Sequence, residues 1–255
     1  MIRRLTATLR SNGSTAGDNP VRILAVSDEV ERAFDYESNR RDLGHIDAIV
    51  GAGDLPPEYL DFLTVAFNAP LLYVRGNHDR GGGWTEQLER VPEPMDGPAQ
   101  DLNGVRIHGM SWPTGKRQQA VHDENLAWRQ VARSMVSLRT QRPDVIVSHI
   151  APAGLGDTPD DHYHKGFAAY RWLCDKTKPC LWIHGHTSLA ASSGWWLDHG
   201  PTKVINVTGA VLIDIVRSPA QVDEKGGASY DRDAAVAAGR SVSAQQRPSA
   251  AEEGN

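Results

Sequence analysis

Leu71-Leu72-Tyr73-Val74-Arg75-Gly76-Asn77-His78-Asp79 passes from a short apolar run straight into a turn of glycine, amide, imidazole and carboxylate. Four apolar residues stopped by a glycine turn read as a buried strand. Upstream, Pro57 to Asn68 places Tyr59, Leu60, Phe62, Leu63 and Phe67 on one face at helical spacing. Before that helix lie two more apolar runs, Val21 to Val26 and Ile46 to Val50. Strand, helix, strand on this scale argues for parallel βαβ units.

Downstream the pattern changes. Asp101 to His108 contains an Asn103-Gly104 hairpin signal. Asp123 is placed to cap a helix running to about Thr140, with Trp128, Val131, Met135 and Leu138 inward. Val145 to Val147 and Leu181 to Ile183 read as further buried strands, and Lys203 to Asn206 with Val211 to Ile215 as antiparallel strands that close the domain. The expected fold is α/β, with two packed mixed β-sheets flanked by helices.

Residues 1–20 are polar and end in Asn19-Pro20, so they read as a flexible N-terminal arm; the domain spans 21–217. Residues 218–255 are rich in Ala, Ser, Gly, Gln and charge, and read as a disordered tail. The net charge of −5 weighs against nonspecific binding to nucleic acid or anionic membrane. Cys174 and Cys180 have neither zinc-site spacing nor a disulfide framework. With no membrane-length apolar run and no secretory leader, the reading is cytoplasmic.

Five polar clusters follow the expected strands: Ser27-Asp28, Gly53-Asp54, Gly76-Asn77-His78-Asp79, Ser148-His149 and His184-Gly185-His186. Sites in open α/β sheets form at carboxyl strand ends. Carboxylate, imidazole and amide oxygen together suit divalent ions such as Mn, Fe, Co, Ni or Zn. A carboxylate shared by two ions holds them ~3.5–4 Å apart, the geometry for in-line displacement at phosphorus. Glycines beside Asp54, Asn77 and His186 give the tight turns that aim these side chains at one point.

On these residues, together with Ala25-Val26-Ser27-Asp28, Gly53-Asp54-Leu55 and Thr202 to Asn206, the chain resembles the calcineurin-like metallophosphoesterase family over most of residues 21–216. More narrowly, it resembles a bacterial branch of uncharacterised members with similar Gly53–Leu60 and His164–Phe167 segments. The resemblance implies a four-layer α/β/β/α sandwich. It also implies hydrolysis of a phosphomonoester or phosphodiester, with a small-molecule or nucleotide substrate, by a metal-bound hydroxide. Asp54 would bridge two ions, one of them held by Asp54, Asn77, His149 and His186. His78, oriented by Asp79, would assist the leaving group.

The other ion would be held by Asp28, Asp54 and two histidines, but those two positions are Val30 and Ser188. One ion is therefore expected to be firmly bound. The second would rest on other side chains (Glu29, Glu31, Asp35, Asp157, Asp160, Asp161, His162 or His164) or be a loosely held Mg or Mn. The alternative is a catalytically degenerate protein of this fold acting as a binding scaffold, as a retromer subunit resembling the family does. The polar loop Gly154 to Phe167 reads as a solvated loop or as a lid bringing His164 and Lys165 to a phosphate. His184 reads as a strand residue, a partner of the ligands or a ligand. Arg75 reads as a surface charge or a phosphate contact, and Trp182, Trp195 and Trp196 as packing.

Overall fold

Val21–Ser27 (β2) shows how the layers arise. Successive side chains of a strand point to opposite faces. Ile23 and Ala25 join a core with Val105, Ile107, Val145, Val147, Leu181 and Ile183, between the two sheets. Leu24 and Val26 instead join Ile49, Leu60, Leu63, Leu71 and Tyr73 on the helix side. Both faces of the strand are covered, so it reads as an unbroken apolar run.

The computed structural model describes residues 2–9, 19–80, 84, 91–114, 121–139, 142–190 and 194–218. The remaining strands are β1 (Arg3–Leu9), β3 (Ala48–Gly51), β4 (Leu71–Tyr73), β5 (Gln100–Leu102), β6 (Val105–Met110), β7 (Val145–Ser148), β8 (Leu181–His184), β9 (Trp196–His199), β10 (Thr202–Asn206) and β11 (Gly209–Arg217). One sheet has the order β1-β11-β2-β3-β4, the other β5-β6-β7-β8-β10-β9. The described residues also form helices α1 (Glu37–Arg41), α2 (Pro57–Phe67), α3 (Glu124–Leu138) and α4 (Ala168–Thr177) and a 3-10 turn at Arg32–Asp35. Val131 and Leu138 of α3 and Tyr170 and Leu173 of α4 pack with Ile146, Trp182 and Val204 on the outer face of the second sheet. Helices on the outer faces of two packed mixed sheets make the expected α/β/β/α sandwich.

Local signals act as the sequence indicates. Pro57 opens α2 and Asn68 ends it in the left-handed region (φ 48°). The Asp123 carboxylate accepts N–H bonds from Asn125 and Leu126 at the start of α3. Asn103 and Gly104 both take positive φ (51° and 83°) between β5 and β6, as a tight hairpin turn requires.

Three expectations are corrected. Residues 3–9 of the supposed arm form β1, which runs parallel to β11 from Arg3↔Val211 to Leu9↔Arg217. The alternation in Arg-Arg-Leu-Thr-Ala-Thr-Leu buries Leu5, Ala7 and Leu9 in the core between the sheets. Strands β10 and β11 do not pair with each other: β10 lies between β8 and β9, and β11 between β1 and β2. Trp128 is 40% exposed and meets Trp172 edge-on at 5.8 Å, while Ala127 takes the buried position. Apart from Ser218, whose N–H bonds Leu9 O at 3.1 Å, the tail read as disordered lies outside the described residues.

Candidate metal centre

Within each sheet, β2, β3 and β4 are mutually parallel, as are β6, β7 and β8. Their carboxyl ends meet at one rim, and the five polar clusters stand there. The His149 imidazole is fully buried and is the hub. Its Nδ1 lies 2.8 Å from Ala52 O, so Nδ1 carries the proton and Nε2 presents a lone pair. That Nε2 faces Asp54 Oδ2 at 3.1 Å, Asn77 Oδ1 at 3.0 Å and His186 Nδ1 at 3.1 Å. His186 is fixed in the same manner: its Nε2 donates to Tyr163 O at 2.8 Å, turning Nδ1 inward. Once the His149 imidazolium gives up its Nε2 proton, four acceptor atoms converge with no donor among them. Carbonyl-anchored imidazoles of this kind are how proteins aim histidine at a metal ion. Ligand atoms of Asp54, His149 and His186 all lie within 4.8 Å of one another. The set fits a borderline divalent ion.

The charges agree. Burial opposes ionisation of Asp54, but the bond and charge of His149 and the N–H of His78 outweigh it and hold the carboxyl below its ordinary value. Burial likewise pulls His149 down, and Asp54 more than reverses this, raising it to about 9. Burial, then the charge on His149, push His186 down to about 4. Without a metal the pocket thus concentrates positive charge as a proton on His149, where a divalent ion would replace it.

Backbone geometry is spent on this arrangement. Asp28, Asp54 and His186 all sit in the left-handed region, with φ of 60°, 56° and 64°. Such strain in non-glycine residues clusters at functional sites. The neighbouring glycines are needed for close approach. A Cβ on Gly76 would lie under 3.0 Å from Asp54 Oδ1, and one on Gly185 under 3.0 Å from Ser27 Oγ and Asp28 Oδ2.

Asp28 stands outside the four-atom cluster. Its Oδ2 accepts bonds from Ser27 Oγ at 2.5 Å, His186 N at 2.9 Å and Thr208 Oγ1 at 3.3 Å. It thereby locks β2, the β8 rim and the start of β11 together. Neither of the two positions lacking histidine supplies a donor. Val30 packs partly buried against the helix-side core, and Ser188 Oγ accepts the Ala190 N–H. Three of the possible substitutes are engaged in other bonds. Glu31 accepts from Ala33 N, Asp157 accepts from Gly154 N and Gly166 N, and Asp161 binds Tyr163 N and His164 Nδ1. The His164 ring comes within 5.0 Å of the His186 ring, so the Gly154–Phe167 loop does reach the site. His184 is buried, and its Nε2 faces Gly156 of that loop.

Asp79, expected to orient His78, bonds two backbone groups. Asp79 is 3% exposed, and its Oδ2 accepts the N–H groups of both Asp54 and Gly76 at 2.7 Å. Burial raises this carboxyl to about 6, with the Asp54 charge adding to it. Its work is to clamp two rim turns together. His78 is exposed, and its backbone N–H holds Asp54 Oδ1 at 2.8 Å. Asp79→Ala strands two buried N–H donors, each worth about 1–3 kcal/mol, so it is expected to cost about 2–4 kcal/mol in urea unfolding. His78→Ala is expected to change stability by less than about 0.5 kcal/mol while still lowering turnover. Equal stability losses would contradict this division of roles.

One site neighbour escaped the sequence reading. Trp112 follows β6, and its ring centroid lies 5.1 Å from that of His186 and 6.1 Å from that of His149. Its signal was present, because Ser111-Trp112 follows a strand parallel to β7 just as the other clusters follow theirs.

A parallel-strand rim carrying a carboxylate, an amide and two carbonyl-anchored imidazoles on an α/β/β/α sandwich is a candidate divalent-metal centre. The family model for calcineurin-like phosphoesterases matches residues 21–188, and the chain belongs to that family. No curated protein matches it. Solved structures align with the chain at low identity. One aligns with a TM-score of 0.55 and 17% identity over 76% of this chain and 95% of its own. A conserved uncharacterized protein of Streptococcus pneumoniae, a predicted phosphoesterase, aligns at TM-score 0.34 and 14% identity over 74% and 73% of the two chains. A dimetal phosphatase from Danio rerio aligns at 0.42 and 13% over 75% and 88%.

Proposed function

We propose that this protein is a metal-dependent phosphoesterase that hydrolyses a small phosphomonoester or phosphodiester, a nucleotide included. The observation that carries the reading is the convergence of Asp54 Oδ2, Asn77 Oδ1 and His186 Nδ1 on His149 Nε2, with both imidazoles fixed by backbone carbonyls. These four residues would hold one ion firmly, with Mn, Fe, Co, Ni, Zn and Mg as candidates. Asp28 and Asp54 alone would leave a second, such as Mg or Mn, loosely held. Bound there, a divalent ion supplies Lewis-acid charge for the phosphoryl oxygens and an activated water. His78 stands exposed on the same turn and donates a proton to the departing oxygen. Asp79 holds the turn that presents it. No helix among the described residues is long and apolar enough to cross a membrane. Both cysteines are free, which suits a reducing, cytoplasmic setting.

The test is hydrolysis of bis(p-nitrophenyl) phosphate with added Mn²⁺. Turnover that EDTA abolishes is expected. Stoichiometric metal without turnover under any divalent ion would defeat the reading, and absence of stoichiometric metal would favour the scaffold alternative.

A further inference from the structure

A cavity of about 960 Å³ borders the metal centre, and Arg75, Arg80, Arg129, Arg133, Trp84 and Trp112 are among the described residues lining it. Trp112 forms the border, packed on His186 on one side and lining the cavity on the other. Arg129 and Arg133 are one turn apart on α3 and so present the same face. Arg75 comes from the segment after β4. Its Nε is buried without a hydrogen-bond partner, and its guanidinium lies 5.7 Å over the Trp84 ring. Trp112 Nε1 is a second buried donor without a partner. Among the described residues, neither Arg129 nor Arg133 forms an ion pair. The two carboxylates in the wall are both committed to backbone N–H groups. Asp79 binds Asp54 N and Gly76 N, and Asp96 accepts Ser111 N at 2.7 Å.

Four guanidinium groups around one cavity, in a chain of net charge −5, are a local reversal of sign. Arginine suits forked recognition of phosphate oxygens, and buried donors without partners cost free energy until a ligand accepts from them. The volume is that of a site for a nucleotide-sized molecule. Resting on the phosphoesterase reading, we infer that this cavity is the anion-binding part of the substrate site. The substrate is then a small phosphoester carrying a second phosphate group, bound by Arg75, Arg129 and Arg133 while the scissile phosphate lies at the metal centre.

Isothermal titration calorimetry with inorganic pyrophosphate, on the full chain in EDTA, tests this apart from catalysis. Wild type is expected to bind. Arg129→Gln/Arg133→Gln is expected to bind about 100-fold more weakly, about ten-fold for each guanidinium removed from the phosphate oxygens. Arg41→Gln, which removes a surface guanidinium paired with Glu37 and outside the cavity lining, is expected to bind within about three-fold of wild type. No binding by wild type, equal binding by the double variant, or an equal loss of binding in Arg41→Gln would each overturn the inference. Thermal melting of each variant separates these results from misfolding. Failure of the ester hydrolysis assay alone would fall on the phosphoesterase reading and leave the anion site standing.

Discussion

His149→Ala is expected to remove stoichiometric metal from the purified protein and to lower metal-dependent kcat/KM by about 1,000-fold or more. Changes to residues that merely support a metal ligand typically cost about 10–100-fold, and loss of the central donor lies above that range. His149 Nε2 is the atom on which Asp54, Asn77 and His186 converge, so its removal leaves the other three without a common centre. The substitution also opens a fully buried space and strands the Ala52 carbonyl. Some destabilisation is therefore expected. Circular dichroism and thermal melting must show a folded protein before the metal and rate losses are read. Retention of one metal per chain with activity within about ten-fold of wild type would show that the ion is held elsewhere.

The second large effect is expected from a single methyl group. Gly76→Ala places a Cβ under 3.0 Å from Asp54 Oδ1, Asp54 Cγ and Asp54 N. The carboxylate cannot simply step aside. Oδ1 is held by His78 N at 2.8 Å and Oδ2 faces His149 at 3.1 Å, while Asp54 N is tied to Asp79. The methyl must therefore displace the Asp54 carboxylate or the turn that carries it. Overpacking of this kind costs about 1–3 kcal/mol, and loss of Asp54 geometry is expected to reduce metal content and turnover together, by about 100-fold or more. Gly97→Ala is the control, because its new methyl would meet nothing within 4 Å. It is expected to melt within about 0.5 kcal/mol of wild type and to retain its metal. An active, metal-loaded Gly76→Ala protein would mean that the tight approach of the two turns is incidental.

The parts of this protein legible in its sequence are those governed by local chemistry. The Gly76-to-Asp79 turn, the Asn103-Gly104 hairpin and the Asp123 cap each carry their cause in adjacent residues. The convergence of Asp54, Asn77, His149 and His186 was legible because parallel strands end at one rim, so a polar residue after each strand is brought to the same place. What was missed depends on partners remote in sequence. Strand β1 is a strand because β11, at the far end of the domain, pairs with it and covers Leu5, Ala7 and Leu9. The role of Asp79 lay beyond reach for a related reason. Its sequence neighbour is His78, but the donors it serves are on Gly76 and on Asp54, 25 residues upstream. Trp112 became part of the site only once β6 was seen to run parallel to β7.

The departures at Val30 and Ser188 keep their meaning in three dimensions. Val30 is engaged in the helix-side core, and Ser188 is exposed with its hydroxyl turned to Ala190. On the proposed reading the centre would be asymmetric, with one four-ligand position beside another that has only carboxylates.

The most direct test of the four-ligand centre is a crystal structure of the protein soaked in Mn²⁺, with anomalous scattering recorded at the manganese edge. The expected result is a strong peak bonded to Asp54 Oδ2, Asn77 Oδ1, His149 Nε2 and His186 Nδ1, and a weaker peak or none at Asp28. Absence of a peak among those four atoms, with manganese bound elsewhere or nowhere, would contradict it.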